Sequence, residues 1–223
     1  RNVADGQSLV DTAESALVET HALLLRMREI SVQAANGTLS TADNTALNAE
    51  FQQLVAEIDR ISDNTSWAGT KLLNGDSTGA TSTSATFAFQ AGVNNTTADT
   101  ISVDISNADA ATLGVFVDNS GNNNITLTDA TNAGAAIVAV DAAIAAVSTE
   151  RGKLGAVSNR MSSTMANLDQ ITVNLTASKG RIEDADFAAE TGNLAKGQIL
   201  QQAATAMLAQ ANASKQQVLT LIR

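Results

Sequence analysis

The chain has 223 residues, of which 44% are apolar and only 3% aromatic, and it has no proline, no cysteine and a formal net charge of −10. A chain without cysteine has no disulfides or thiolate metal sites, and 13 scattered Lys and Arg residues in an acidic chain argue against nucleic-acid binding. No run of residues reaches the ~18 consecutive apolar positions typical of a membrane span. Burial must therefore come from Ala, Leu, Val and Ile, and the lack of proline favours long helices.

The first predicted element is a long helix over residues 3–34. Its apolar positions fall in two neighbouring rows with seven-residue spacing, which is typical of one broad buried face. Asn36 and Gly37 predict that the helix ends there, with a left-handed C-terminal cap. The two rows are Val3, Val10, Ala13, Leu17, Leu24 and Met27, and Leu9, Ala16, Leu23 and Ile30.

A second helix is predicted to begin at Ser40, which can form a capping box with Asp43. Its apolar stripe has alternating spacings of four and three, so the two helices are expected to fold back as a hairpin. The stripe consists of Leu47, Phe51, Leu54, Ile58 and Ile61.

The middle of the chain, residues 74–132, is rich in Gly, Ser, Thr, Asn and Asp. Alternating apolar and polar residues predict two strands, at 87–91 and 101–105, and a third short strand at 125–127. Because an isolated hairpin is marginal in water, this one is expected to rest on the helices.

A third helix is predicted over about 133–177, with an apolar row extending as far as Leu175, and a fourth after Gly180. The fourth has an apolar stripe that nothing else in the chain is left to cover. The expected partner is another helix, from a missing N-terminal segment or from other copies, since the chain begins at Arg1 within a helical pattern. The stripe includes Leu194, Ala204, Leu208, Ala211, Val218 and Ile222.

Several long motifs resemble those of one known family. They are LLRMREISVQAANGT, EFQQLVAEIDRIS, NTSWAGTKLLNG, FAFQAGVN, RGKLGAVSNRMSSTMANL and the final GRIEDADFAAET…ILQQAATAMLAQAN…QQVLTLIR. On these residues the chain resembles the bacterial flagellins over nearly its whole length. The resemblance implies a mainly α fold: an elongated bundle of long antiparallel helices, a small β-hairpin region and a C-terminal coiled-coil-type helix.

The family's organisation implies four segments in this chain. Residues 1–73 correspond to the N-terminal helical hairpin of the rod domain, and 74–131 to the small β or variable region. Residues 132–180 correspond to the C-terminal long helix of the rod, and 181–223 to the filament-core helix. The chain is then an N-terminally truncated flagellin with a minimal variable region.

The resemblance also implies function. A flagellin is a secreted structural subunit of the extracellular filament and self-assembles for motility. Its implied partners are other flagellin subunits, an export chaperone, the filament cap and the hook-associated proteins. No cofactor, metal or catalytic residue is expected, because the sequence has a single His and no nucleophile motif.

Four residues are candidates for a subunit-contact surface, which in this family is also the surface seen by an innate-immune Toll-like receptor. Arg26, Ile30 and Glu50 correspond to that surface, and Gln33 is a further polar candidate. Leu25 departs from the family pattern, because strongly detected flagellins tend to have Gln there. A simpler interpretation is that Arg26 only forms intrahelical pairs.

Two other functions remain open at this point. A hook–filament junction protein shares the rod and terminal helices, although the ending LAQANASKQQVLTLIR favours a filament subunit. A surface adhesin or polysaccharide-binding protein would use the Thr- and Asn-rich middle. Carbohydrate sites usually present aromatic platforms, and at least two of Phe87, Phe89 and Phe116 are expected to be needed in the core.

Overall fold

The computed structural model describes residues 1–75, 84–94, 96–116, 125–184 and 186–221, with 216–221 described by backbone alone. The chain forms two compact units, Arg1–Leu168 and Asp169–Arg223. The fold is mainly α with small antiparallel strand pairs, as the sequence predicted, whereas the division into four segments stays a prediction. The elements are α1 (Asn2–Ala34), α2 (Thr41–Asn64), β1 (Ser66–Trp67), β2 (Thr70–Lys71), β3 (Ser84–Gln90), β4 (Thr100–Ser106), α3 (Ala130–Glu183) and α4 (Phe187–Leu221).

Helix α1 buries the two rows that its spacing predicts, apart from the half-buried Ala16 and Leu23. Its end differs from the prediction. Ala35 is right-handed, and its N–H donates to the Ser31 carbonyl while the Asn36 N–H donates to the Gln33 carbonyl. Gly37 has no positive φ, so the predicted left-handed cap is wrong. A tightened last turn satisfies the terminal carbonyls instead.

Helix α2 begins with the predicted capping box. The Ser40 hydroxyl accepts from the Asp43 N–H at 3.3 Å, and the Asp43 carboxylate accepts from the Ser40 N–H at 3.1 Å. The pKa of Asp43 is lowered, first by its hydrogen bond from the Ser40 hydroxyl and then by the one from the Ser40 backbone. The buried face of the helix comprises Asn44, Phe51, Val55, Ile58 and Ser62.

The central hairpin confirms the two predicted strands. Strands β3 and β4 are antiparallel, with Phe87 opposite Val103. Alternate residues of β4 point into the core, namely Ile101, Val103 and Ile105. The two-residue strands β1 and β2 were not predicted, because they are too short to show periodicity. Ala68 and Gly69 adopt positive φ between them.

The segment 125–127 is not the strand that its alternation predicts. Leu127 is buried, and its N–H donates to the Asn48 side-chain oxygen at 3.0 Å, so a side chain of α2 replaces a strand partner. Just beyond it, the Asp129 carboxylate accepts from the N–H groups of Thr131 and Asn132. This cap explains why α3 begins at Ala130, three residues earlier than predicted.

Helix α3 buries one face from Ala133 to Met161. The predicted row continues too far, because Leu175 is exposed. Helices α1 and α3 are antiparallel, since positions that rise along α1 meet positions that fall along α3. The polar contacts between them are Gln7 to Ser158 at 2.6 Å, Glu14 to Arg151 at 2.8 Å and Arg28 to Asp141 at 2.6 Å.

Candidate assembly surfaces

An exposed ion-pair network links the two helices of the α1–α2 hairpin. Arg26 on α1 donates through Nε and Nη2 to one oxygen of Glu50 on α2, at 3.0 and 2.8 Å, and through Nη1 to Glu29 at 2.9 Å. The pKa of Arg26 is raised, first by the Glu50 hydrogen bond and then by that with Glu29. The side chains of Arg26 and Glu50 are 51% and 44% exposed. Hairpin folding therefore places Arg26 and Glu50 on one solvent-facing surface, and Arg26 also makes the intrahelical pair.

The other two predicted residues of this surface differ in position. Gln33 is exposed in the last turn of α1. Ile30 is only 1% exposed, so its prediction as a surface residue is wrong. It follows Met27 by three positions and precedes Ala34 by four, and both of these residues are fully buried. That spacing places Ile30 on the core-facing side of the helix.

An apolar row lies on the exposed side of α1. Val18, Leu25 and Val32 are 41–49% exposed, and their seven-residue spacing places them along one face. We call these three residues the α1 apolar row. Leu25 directly precedes Arg26, so apolar and charged groups adjoin on this helix. Sequence reasoning missed Val18 and Val32, although their spacing carried the signal.

Helix α4 exposes large apolar side chains along its length. Its six large apolar residues between 187 and 208 are 59–81% exposed. Ala204 and Ala211 are also exposed, whereas the side chain of Val218 and all of Ile222 lie outside the described residues. The six residues, which we call the α4 apolar set, are Phe187, Leu194, Ile199, Leu200, Met207 and Leu208.

Two carboxylates inside Arg1–Leu168 accept hydrogen bonds from the end of β4 and from the segment that follows it. Glu150 on α3 is buried and accepts from the Ser106 N–H and hydroxyl, both at 2.9 Å, and from Lys153 at 3.0 Å. Asp59 on α2 accepts from the Ala110 N–H at 2.8 Å, and desolvation raises its pKa. In the described part of the chain, no group of three His, Cys, Asp or Glu residues could hold a metal ion.

Comparison with known proteins identifies the family. The model of the bacterial flagellin N-terminal helical region matches residues 1–78, and that of the bacterial flagellin C-terminal helical region matches 137–222. A flagellin from Halalkalibacterium halodurans is 43% identical over 223 residues, which cover all of this chain and 77% of the relative. The chain belongs to the bacterial flagellins.

Solved structures agree with this assignment. The crystal structure of Bacillus cereus flagellin matches this flagellin with a TM-score of 0.61 and 30% identity, covering 80% of this chain and 94% of the other. A putative flagellar hook-associated protein from Vibrio parahaemolyticus has the same TM-score, with coverages of 81% and 88%, but only 19% identity. That second likeness shows a shared fold alone and gives no support to a junction function.

As a flagellin, the protein is a structural subunit of the bacterial flagellar filament, which lies outside the cell. Polymerisation with other flagellin subunits follows from membership of the family. This structural role is consistent with the expectation that the chain is not an enzyme. The adhesin alternative loses its aromatic platform, because Phe87 and Phe89 are partly buried against the core of this flagellin.

One helical stretch of this flagellin is long and apolar enough to cross a membrane. Within the described residues, it is Ala130–Lys215, by length and composition alone. It contains no unbroken apolar run of that length, because its apolar residues are interspersed with polar ones. Core helices of soluble proteins share this composition, so the feature is weak evidence for a membrane segment.

Proposed function

We propose that this flagellin joins its filament through α4, whose apolar set is covered by helices of other copies of the chain. The observation that carries the proposal is the 59–81% exposure of six large apolar side chains on one helix. Full burial of such a side chain contributes about 1.5–3 kcal/mol, so covering several of them supplies a strong driving force for association. Ala204 and Ala211 add small side chains, which allow helices to approach closely.

The test of this contact is a charge placed within the α4 apolar set. Leu208→Glu should reduce filament yield strongly, because a carboxylate in a helix contact loses its water without gaining a partner. Gln202→Glu is the matched control, since it adds the same charge to the same helix about 120° around its axis from Leu208. Filament yield is measured by sedimentation and electron microscopy. Equal yields from Leu208→Glu and the unmodified protein would refute the contact.

The surface around Arg26 is proposed as a second, lengthwise contact between subunits. It combines the α1 apolar row with the Arg26–Glu50 pair and the exposed Gln33. Truncating one partner of a charge pair that is desolvated at an interface typically costs about 2–5 kcal/mol. Arg26→Glu would place three carboxylates together at that surface, because Glu29 and Glu50 already contact this position.

A charge swap separates this contact from a purely internal role of Arg26. Arg26→Glu combined with Glu50→Arg keeps opposite charges at the two positions while reversing the pattern that a neighbour would meet. If the surface is an interface, both the single and the double variant should lose filament yield while each monomer still melts normally. Recovery of filaments in the double variant alone would show that the pair acts within the subunit.

Further partners are proposed from the family resemblance. They are the export chaperone, the filament cap and the hook-associated proteins, with secretion through the flagellar export path.

The exposed Arg26 and Glu50 also support recognition of this surface by the Toll-like receptor for flagellin. Because Leu25 replaces the Gln of strongly detected flagellins, Leu25→Gln should increase receptor activation in a reporter-cell assay. Unchanged activation would contradict a role for this surface in detection.

A further inference from the structure

The chain contains two Asn-Gly pairs in different surroundings. Asn36-Gly37 lies in the turn between α1 and α2, and Asn74-Gly75 follows β2. Asn36 and Gly37 are both exposed, whereas Asn74 is half-buried and Gly75 is buried. Asparagine is a thermally labile residue, and a following glycine has no side chain to shield its backbone nitrogen. The two Asn-Gly pairs therefore have the same reactive groups but differ in their exposure to solvent.

The turn at Asn36 folds its side chain over the next peptide. The Thr38 N–H donates to the Asn36 side-chain oxygen at 3.3 Å, which is an Asx-type turn. This hydrogen bond spans Gly37 and restrains the Asn36 carboxamide close to the backbone of the turn. Among the hydrogen bonds of the described residues, none uses the Gly37 N–H as donor. The nitrogen that would attack the carboxamide is thus exposed and unengaged.

We propose that Asn36 is a site of spontaneous deamidation, with water as the co-reactant. The Gly37 nitrogen forms a bond to Cγ of Asn36, and the bond from Cγ to Nδ2 breaks. Nδ2 leaves as ammonia, taking the proton that the Gly37 nitrogen loses, and a cyclic imide remains. Water then adds at one of the two imide carbonyls and breaks that carbon's bond to nitrogen. The products are aspartate or, with the chain continuing through the side chain, isoaspartate.

Asn74 is held against the same reaction. The preceding Leu73 carbonyl accepts from the Ala108 N–H at 2.8 Å and from the Ser62 hydroxyl at 2.7 Å, which fixes the backbone leading into the pair. Asn74 itself is engaged in an interaction, and Gly75 adopts a φ of 70°. Closing the imide ring there would require this anchored backbone to move. Asn74 is therefore an internal control for Asn36.

Deamidation at Asn36 changes the α1–α2 turn. It places a new negative charge after the C-terminal end of α1, where the helix dipole disfavours anions. Isoaspartate also adds a carbon to the backbone just before the Ser40 cap. The modification would accumulate with the age of the chain, since water is its only reagent. This inference is independent of both proposed contacts, because it concerns the chemistry of the folded subunit alone.

The test is peptide mapping by mass spectrometry of the full chain after incubation in mildly alkaline buffer, with isoaspartate detected by enzymatic methylation. In the folded protein, Asn36 should deamidate about tenfold faster than Asn74, which corresponds to ~1.4 kcal/mol of activation free energy. In urea the two rates should become similar, because both sites are then free Asn-Gly pairs. A folded-state ratio below about threefold, or a ratio that persists in urea, would overturn the proposal.

Gly37→Ala is the control variant for the reaction itself. A Cβ at Gly37 would meet nothing within 4 Å, and Gly37 has no positive φ, so the fold should accept the change. The added methyl group hinders attack by the backbone nitrogen, so deamidation at Asn36 should slow while that at Asn74 stays the same. An unchanged rate at Asn36 in this variant would show that the Gly37 nitrogen is not the nucleophile.

Discussion

Polar side chains at the ends of elements set much of the local structure of this flagellin. Ser40 and Asp43 begin α2, and Asp129 begins α3. Asn48 holds the segment before α3, and Glu150 holds the end of β4. Each of these side chains satisfies backbone N–H groups that would otherwise have no partner in the folded chain. Such contacts are worth more when buried, as at Glu150, than when exposed, as at Ser40.

Removing the cap of α2 should destabilise the subunit. Ser40→Ala deletes the side-chain acceptor of the Asp43 N–H, and loss of an N-cap typically costs about 1 kcal/mol. Ser8→Ala is the matched control, because the Ser8 hydroxyl only bonds back to the Ala4 carbonyl within α1; it should change stability by about 0.5 kcal/mol or less. The free energy of unfolding in urea can be followed by fluorescence of Trp67, the single tryptophan. Equal effects of the two variants would contradict the cap.

Asp59 should make stability depend on pH in a defined direction. Its folded-state pKa is raised, chiefly by desolvation, so its ionised form costs stability at pH values above that pKa. The cost is absent below the unfolded-state pKa and grows as the pH rises between the two. Asp59→Asn removes the charge and can still accept from the Ala110 N–H. The variant should therefore be more stable than the unmodified protein at neutral pH, with a smaller difference in acid.

The measurement is urea unfolding of both proteins across the acidic range. A variant that is less stable at neutral pH, or a difference that does not change with pH, would show that the carboxylate of Asp59 is needed as a charge.

At the scale of elements, Gly6 of α1 allows close packing against α3 and the β3–β4 hairpin. A Cβ at Gly6 would lie 2.9 Å from Cε of Met161 and 3.0 Å from the Phe89 ring. A Cβ at Gly152 on α3 would meet no atom within 4 Å. The two positions therefore separate the intrinsic helix preference of alanine from the cost of crowding.

Alanine substitution should have opposite effects at these two positions. Gly152→Ala should stabilise the protein by about 0.5–1 kcal/mol, through helix propensity alone. Gly6→Ala gains the same helix preference, but its Cβ must push the Met161 methyl group and the Phe89 ring away from α1. Such overpacking costs about 1–3 kcal/mol. We expect a net loss of stability at Gly6. Thermal unfolding of both variants is the measurement, and a gain at both positions would contradict the close contact at Gly6.

The long helices and the central hairpin were predictable because their periodicity extends over many residues, and the α2 capping box has a local signature. The segment 125–127 misled the prediction because its alternation is satisfied by Asn48, a partner 79 residues away. Ile30 had two predicted positions, in a buried row from its spacing and on a contact surface from the family resemblance, and its burial agrees with the spacing. Helix α4 was predicted with an uncovered stripe, and those residues of the stripe whose side chains are described are exposed.

At the scale of the whole molecule, the two compact units differ in how they are stabilised. Arg1–Leu168 has its own core of α1, α2, α3 and β4 residues. In Asp169–Arg223, the described side chains are nearly all exposed, including the α4 apolar set. Helices are stabilised mainly by packing of an apolar face. The proposal that other copies cover the α4 apolar set in the filament accounts for this difference between the two units.

Amide hydrogen exchange over residues 187–215, compared between the dispersed subunit and the assembled filament, tests this claim most directly. In the dispersed subunit, α4 should exchange much faster than the buried parts of α1 and α3, because few contacts oppose its local opening. In the filament, α4 should become as protected as those helices. Protection of α4 that is already high in the dispersed subunit, or that does not rise on assembly, would contradict the proposal that other copies cover it.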